Sequence, residues 1–185
     1  LLDGACRIEG LVERVAELGQ TSCALTDHGV MYGVIDFYRA CKAKGIHPVI
    51  GCEVYLAPHS RFERSYVNGE WHSHLILLCE NMTGYRNLIH MVSLGFSEGF
   101  YMKPRIDMDL LRQHSEGLIC LSACLAGVIP RALAEGDMDG AYELCEQFLD
   151  IFDRDHFYLE VQDHGIEVQK KVNEGLYQLA KELDI

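Results

Sequence analysis

Residues 23–29, Cys23-Ala24-Leu25-Thr26-Asp27-His28-Gly29, set a short apolar run against an abrupt polar tip and a glycine. A run of that length ending in charged residues reads as a strand that stops where the chain meets solvent. Upstream, Ile8, Leu11, Val12, Val15 and Leu18 recur at helical spacing, with Gly19 as a stop signal; downstream, a helical stretch over residues 32–44 is closed by Gly45. The unit of strand, polar tip and helix then recurs. Residues 48–56, 74–79, 117–122 and 157–161 read as further strands. Between them Tyr85, Leu88, Ile89, Val92 and Phe96 mark one helix face behind Thr83 as N-cap, and residues 128–134 form a short helix. Met138, Tyr142, Cys145, Phe148 and Phe152 mark a longer helix, and Val172, Leu176, Leu179 and Leu183 a final one. Such alternation predicts an α/β protein with a parallel sheet, open or closed into a barrel, whose function gathers where strands give way to helices.

Two stretches break the pattern. Residues 57–72, with Pro58, Arg61, Arg64, Asn68 and Gly69, and residues 97–107, Ser-Glu-Gly-Phe-Tyr-Met-Lys-Pro-Arg-Ile-Asp, read as loop excursions from a single domain spanning 1–185. The eight carboxylates between positions 135 and 155 face only Arg154 and read as a solvated helix face.

With 185 residues, 49% hydrophobic and 24% charged, the chain suits one domain with a real core and excludes a disordered tail. Its apolar runs are too short to span a bilayer, so no membrane partner is expected. A net charge of −12 repels nucleic acid and anionic lipid unless metal or a local patch reverses the field, which argues against a free-standing DNA-binding module. Eight cysteines without a C-x-x-C pair read as reduced thiols in a cytoplasmic protein. The chain starts at Leu1 and stops at Ile185 inside a helical pattern, and is expected to be a segment of a longer polypeptide, truncated at both ends.

A metal site in an α/β domain collects ligands from successive strand ends. Asp27 and His28 end the first strand, Glu53 lies in the second, His74 opens the third beside His72, and Cys124 follows the fourth in the small-residue turn 122–127. Glu160, Gln162 and His164 fall on one side of the last strand's end and line the same mouth or solvate its rim. Local sequence leaves each histidine readable as a core or surface residue, and Cys124 as a ligand or a packed thiol.

Several stretches resemble the PHP (polymerase and histidinol phosphatase) domain, in the branch carried by bacterial DNA polymerase III alpha subunits. They are Leu-Leu-Asp-Gly-Ala at 1–5, Leu-Thr-Asp-His-Gly at 25–29, Ile-Gly-Cys-Glu-Val-Tyr at 50–55 and Asn-Met-Thr-Gly-Tyr-Arg-Asn-Leu at 81–88. Gly-Phe-Tyr-Met-Lys-Pro-Arg-Ile-Asp at 99–107 and Leu-Ser-Ala-Cys-Leu-Ala-Gly at 121–127 complete the set. The resemblance implies a distorted (β/α)7 barrel, lacking its first and last strands in this segment. It also implies a cluster of divalent metals at the barrel mouth, with Asp3, His28, Glu53, His74 and Cys124 as ligands, while a His-x-His pair and an Asp-x-His pair fall outside the chain. Cys124 tilts the metal toward zinc over manganese or iron. The implied chemistry is phosphoester hydrolysis, with 3′ to 5′ exonuclease activity in some family members. The parent would be a DNA-directed DNA polymerase, its magnesium site elsewhere, meeting DNA, a proofreading exonuclease subunit and other replicase subunits. A metal-stabilised scaffold and a stand-alone phosphoesterase are the competing readings.

Overall fold

The structure, a computed structural model, describes residues 5–64 and 71–185. In chain order the elements are α1 (Ile8–Glu17), β1 (Ser22–Leu25), α2 (Val34–Lys44), β2 (His47–Leu56), β3 (Ser73–Cys79) and α3 (Met82–Ser97). Then follow β4 (Arg105–Ile106), α4 (Met108–His114), β5 (Leu118–Leu121), α5 (Val128–Glu135), α6 (Met138–Phe152), β6 (Phe157–Tyr158) and α7 (Glu167–Leu183).

The long strand β2 organises the sheet. Its first half pairs in parallel with β1, from Ser22↔His47 to Leu25↔Ile50, and its second half pairs antiparallel with β3, from Gly51↔Leu78 to Leu56↔Ser73. The short β4 lies parallel to Tyr55 and Leu56, β5 runs antiparallel to β3, and β6 lies parallel to β5. The order is β1-β2-β3-β5-β6, and among the described residues β1 and β6 end the path without meeting.

The sheet is therefore mixed and open rather than all-parallel. One reversed strand, β3, produces both antiparallel pairings. Parallel neighbours need a crossover carried around one face, and the described part of 57–72 holds no helix to make it. Alternation of element types was legible in the sequence; alternation of direction was not.

The main core lies between the sheet and α3 to α7, with Leu75, Leu77, Leu88, Phe148, Phe157 and Leu176 among its buried members. Phe148 and Phe157 stack with ring centroids 5.4 Å apart, tying α6 to β6. Each such side chain contributes roughly 1.5–3 kcal/mol by leaving water. A second cluster, Val12, Val15, Phe37, Cys41 and Ile46, packs α1 and α2 against the β1 end. All eight cysteines are free thiols, and Cys41, Cys52, Cys120 and Cys145 are buried.

Helix α3 starts earlier than the sequence suggests. Asn81, not Thr83, is its N-cap, its Oδ1 accepting from the amides of Thr83 at 2.9 Å and Gly84 at 3.1 Å. Gly84 lies against the Gly117 carbonyl, where any side chain would overlap it. That close approach turns Gly84, Leu88, Met91 and Gly95 inward, leaving Ile89 and Phe96 each 41% exposed instead of on the buried face. Strand β6 is also shorter than expected, with 159–161 outside it.

The excursion at 97–107 contains an anchor rather than a free loop. Arg105, 1% exposed, donates from Nε to the Gly99 carbonyl at 3.1 Å and from Nη1 to that of Trp71 at 3.2 Å. Its Nη2 reaches the carbonyls of Arg61 at 3.2 Å and Glu63 at 2.7 Å. The guanidinium also lies 5.2 Å from the Tyr101 ring centroid. Next to it, buried Asp107 caps α4 through the Leu110 amide at 3.0 Å and pairs with Arg61 Nη1 at 3.1 Å. Arg61 in turn binds Glu98 at 2.7 Å. Both excursions are thus stitched together by charge-assisted bonds whose partners are mostly backbone carbonyls. Sequence reading missed this, along with α4, because a basic residue in a turn-rich stretch reads as exposed.

Replacing Arg105 by Met keeps volume but strips donors from four buried or half-buried carbonyls. Urea unfolding of Arg105→Met is expected to show a loss of at least ~3 kcal/mol, against ~0.5 kcal/mol or less for Arg112→Met in the exposed Asp109 pair. Equal losses would contradict the anchor.

Candidate functional site

Glu53 sits in the half of β2 where three strands meet. Its amide donates to the Asp27 carbonyl at 3.0 Å and its carbonyl accepts from Gly29 at 2.8 Å, so His28 and Glu53 are paired in parallel bridge geometry past the end of β1. Paired residues project to the same face of a sheet. Two residues along β2, Tyr55 is registered with His74 of β3, which brings His74 to that face as well. From its other edge the His74 amide donates to the Ala126 carbonyl at 3.0 Å, drawing in the turn that carries Cys124. Ala123 adopts φ +62° there, and Ser122 holds the turn by accepting from the Glu160 amide at 2.8 Å.

The side chains converge on one oxygen. Oε1 of Glu53 contacts Nδ1 of His28 and lies 3.0 Å from Nδ1 of His74, while Cys124 Sγ is 3.5 Å from the same His74 nitrogen. Glu53 is 9% exposed, so this carboxylate is held largely out of water and its Oε1 is met by two imidazole nitrogens. Burial is the main force pulling the His74 pKa below its ordinary value; Glu53 opposes it, and His28, Arg131 and Lys103 reinforce it. Burial likewise pushes the Cys124 thiol up, with Glu53 and Glu160 adding to the effect. A thiolate at this position needs a cation beside it.

Four of the five sequence-derived ligand candidates, His28, Glu53, His74 and Cys124, therefore come together; Asp3 lies outside the described residues, as do Asn68 and Gly69. Asp27 does not join them and accepts instead from the Gly33 amide at 3.3 Å. His72 stacks on His74, ring centroids 5.7 Å apart, and meets Tyr55 edge-on at 4.7 Å. Among the described residues no three His, Cys, Asp or Glu groups stand ready as a metal shell. Tetrahedral zinc with bonds of about 2.0–2.3 Å sets neighbouring donors roughly 3.3–3.8 Å apart. The Cys124–His74 pair has that spacing, whereas the two imidazoles are drawn onto Glu53 at hydrogen-bond range.

The donor types, carboxylate, imidazole and thiol, suit a borderline divalent cation. A second observation points the same way. Oε2 of Glu160 is buried with no hydrogen-bond partner among the described residues, its Oε1 accepting from Gln162 Nε2 at 2.7 Å, and the residue lines a small cleft together with Cys124 and Gln169. A buried carboxylate oxygen in that state is open to a cation or a water. The sequence left Glu160 either lining the mouth or solvating its rim; its place in the Cys124 cleft needed the fold.

The PHP domain family matches residues 1–164 of the chain. The chain belongs to the PHP domain family. This PHP chain is 49% identical to the DNA polymerase III subunit alpha of Treponema pallidum, over 100% of the chain and 16% of that protein. It is 44% identical to that of Borreliella burgdorferi, again over 100% and 16%. Against the Thermus aquaticus subunit it is 42% identical over 98% of the chain and 15% of the relative. It thus spans about one sixth of the length of these relatives. In fold it is similar to a candidate metal-dependent phosphoesterase of Bifidobacterium adolescentis, with TM-score 0.61 and 12% identity over 99% of this chain and 80% of that one.

Gly29 fixes the first ligand candidate in place. At φ +67° an added Cβ would lie 2.6 Å from Tyr55 Cε2, whereas at Gly19, φ +70°, it would meet nothing within 4 Å. Gly19→Ala is expected to cost ~1 kcal/mol for the left-handed backbone alone. Gly29→Ala adds the displacement of Tyr55 and is expected to cost at least ~2 kcal/mol in denaturant titration. Equal costs would show that Tyr55 yields freely.

Proposed function

We propose that this chain serves as the PHP domain of a bacterial DNA polymerase III alpha subunit and holds divalent metal at the His28, Glu53, His74 and Cys124 cluster. The convergence of these four side chains on one strand crossing carries the reading. Asp3, which the family resemblance assigns to the same set, and the orphaned Glu160 oxygen beside Cys124 extend it. Zinc suits the thiol-containing set better than manganese or iron. The closed (β/α)7 barrel of the family is the form in which the open edges at β1 and β6 would be covered.

A bound divalent ion supplies Lewis acidity and a water of lowered pKa for phosphoester cleavage. The chain's own residues set the stage for it. Glu53 orients both imidazoles, Tyr55 and His72 wall His74 on one side, and the 122–127 turn presents Cys124 on the other. The activity proposed is 3′ to 5′ excision at a DNA terminus, alongside nucleotide incorporation by a magnesium site elsewhere in the polypeptide. Other replicase subunits, including a proofreading exonuclease, are the proposed partners, and the cytoplasm the proposed compartment. None of the described helices is long and apolar enough to cross a membrane.

The test uses the full polypeptide and two substitutions, His28→Ala and Glu53→Ala, with metal content measured by mass spectrometry and excision on a mismatched primer. Loss of one ligand is expected to lower metal affinity by at least tenfold, roughly. Excision should vanish, and incorporation should change only through stability. Undiminished metal would remove these residues from the site. Diminished metal with undiminished excision, in a preparation free of other nucleases, would leave the cluster a structural centre supporting a scaffold.

A further inference from the structure

The 99–107 motif is not absorbed by the metal cluster, yet the fold invests heavily in placing it. Arg105 is buried under four carbonyls, and Gly99 packs against the Arg105 backbone. Met102 takes a left-handed φ of +63°, which a residue with a side chain adopts only when its surroundings hold it there. Tyr101 and Lys103 bridge across this turn, the Tyr101 amide donating to the Lys103 carbonyl at 3.1 Å. The product is a tight turn with Met102 at its tip and Lys103 on its flank. The Lys103 Nζ lies 5.1 Å from the centroid of the Tyr55 ring, and that ring lies 5.5 Å from the His74 ring. Lys103 makes no ion pair among the described residues.

A second cation approaches His74 from the opposite edge. Arg131 Nη2 donates to the Ala126 carbonyl at 3.2 Å, the same oxygen that accepts from the His74 amide at 3.0 Å. In a chain of net charge −12, two cations from separate segments flank His74 and offset the carboxylates of Glu53 and Glu160.

We propose that Lys103, with Arg131 across His74 from it, binds the phosphate oxyanion of a phosphoester presented to the His28–Glu53–His74–Cys124 cluster. The proposal rests on the phosphoesterase reading of that cluster and adds the groups that hold the substrate. Lys103 acts as a point charge on a short tether, steadied by the Tyr55 face; Arg131 offers planar donors from α5. Neither needs to ligate metal. The shared chemistry is a tetrahedral phosphate, whether free, in a monoester or at the end of a DNA strand.

The test titrates inorganic phosphate into the full polypeptide loaded with zinc or manganese, followed by calorimetry, with metal content measured in the same samples. Lys103→Ala and Arg131→Ala are each expected to weaken phosphate binding about tenfold with metal content unchanged, because charge-assisted bonds are lost. Lys170→Ala, in an exposed pair with Glu167, should bind as the wild type does. Unchanged binding in both cluster-side variants, with binding abolished in His28→Ala, would overturn this proposal and leave the metal reading intact. No phosphate binding by the metal-loaded wild type would overturn both. Competition then separates the sources. Displacement by dTMP alone supports a monoester site and displacement by a short oligothymidylate a strand-end site, while displacement by neither contradicts phosphoester recognition. Lys103→Arg, which keeps the charge, should restore most of the affinity if charge rather than packing is what Lys103 contributes.

Discussion

The site depends on one carboxylate oxygen. Glu53 Oε1 is shared by the imidazoles of His28 and His74, and a largely buried carboxylate must find such partners or remain an uncompensated charge. That requirement fixes the register of three chain segments. His28 must follow β1 in parallel with β2, β3 must run antiparallel so that His74 faces Tyr55, and the turn after β5 must meet the other edge of β3. A slip of one residue in β3 would turn His74 to the opposite face of the sheet. Chemistry and topology are thus joined at one residue in the middle of the longest strand.

A second, independent constraint holds the surroundings of the mouth. Arg105 and Asp107 carry opposite charges into the interior, and each is satisfied: Arg105 by carbonyls, Asp107 by Arg61 and the Leu110 amide of α4. Burial works against the Arg105 guanidinium, so the carbonyls around it must compensate a real desolvation cost. What that arrangement secures is placement, since the turn bearing Tyr101 and Lys103 is fixed relative to Tyr55 and hence to His74.

Legibility in the sequence followed the range of the physics. Helix spans set by local periodicity and glycine stops were readable: α1 before Gly19, α2 before Gly45, α7 with Val172, Leu176, Leu179 and Leu183 inward. The candidate ligands His28, Glu53 and Cys124 were readable as polar residues at or near strand ends, and His74 was named with them although it opens its strand. Strand direction was not readable, because it depends on how 57–72 returns the chain and not on the apolar pattern of β3. Nor was the inward turn of α3, which follows from Gly84 meeting Gly117 across the fold. Arg105 escaped for a related reason. Its burial is created by segments distant in sequence, and a charged side chain carries no local sign that it will be enclosed.

Anomalous diffraction at the zinc edge, from crystals of the zinc-loaded protein, tests the central claim most directly. The account predicts a peak at bonding range, about 2.0–2.3 Å, from a nitrogen of His28 or His74 together with Glu53 or Cys124. A peak confined to another histidine pair, such as His90 and His114 with ring centroids 4.8 Å apart, would contradict it.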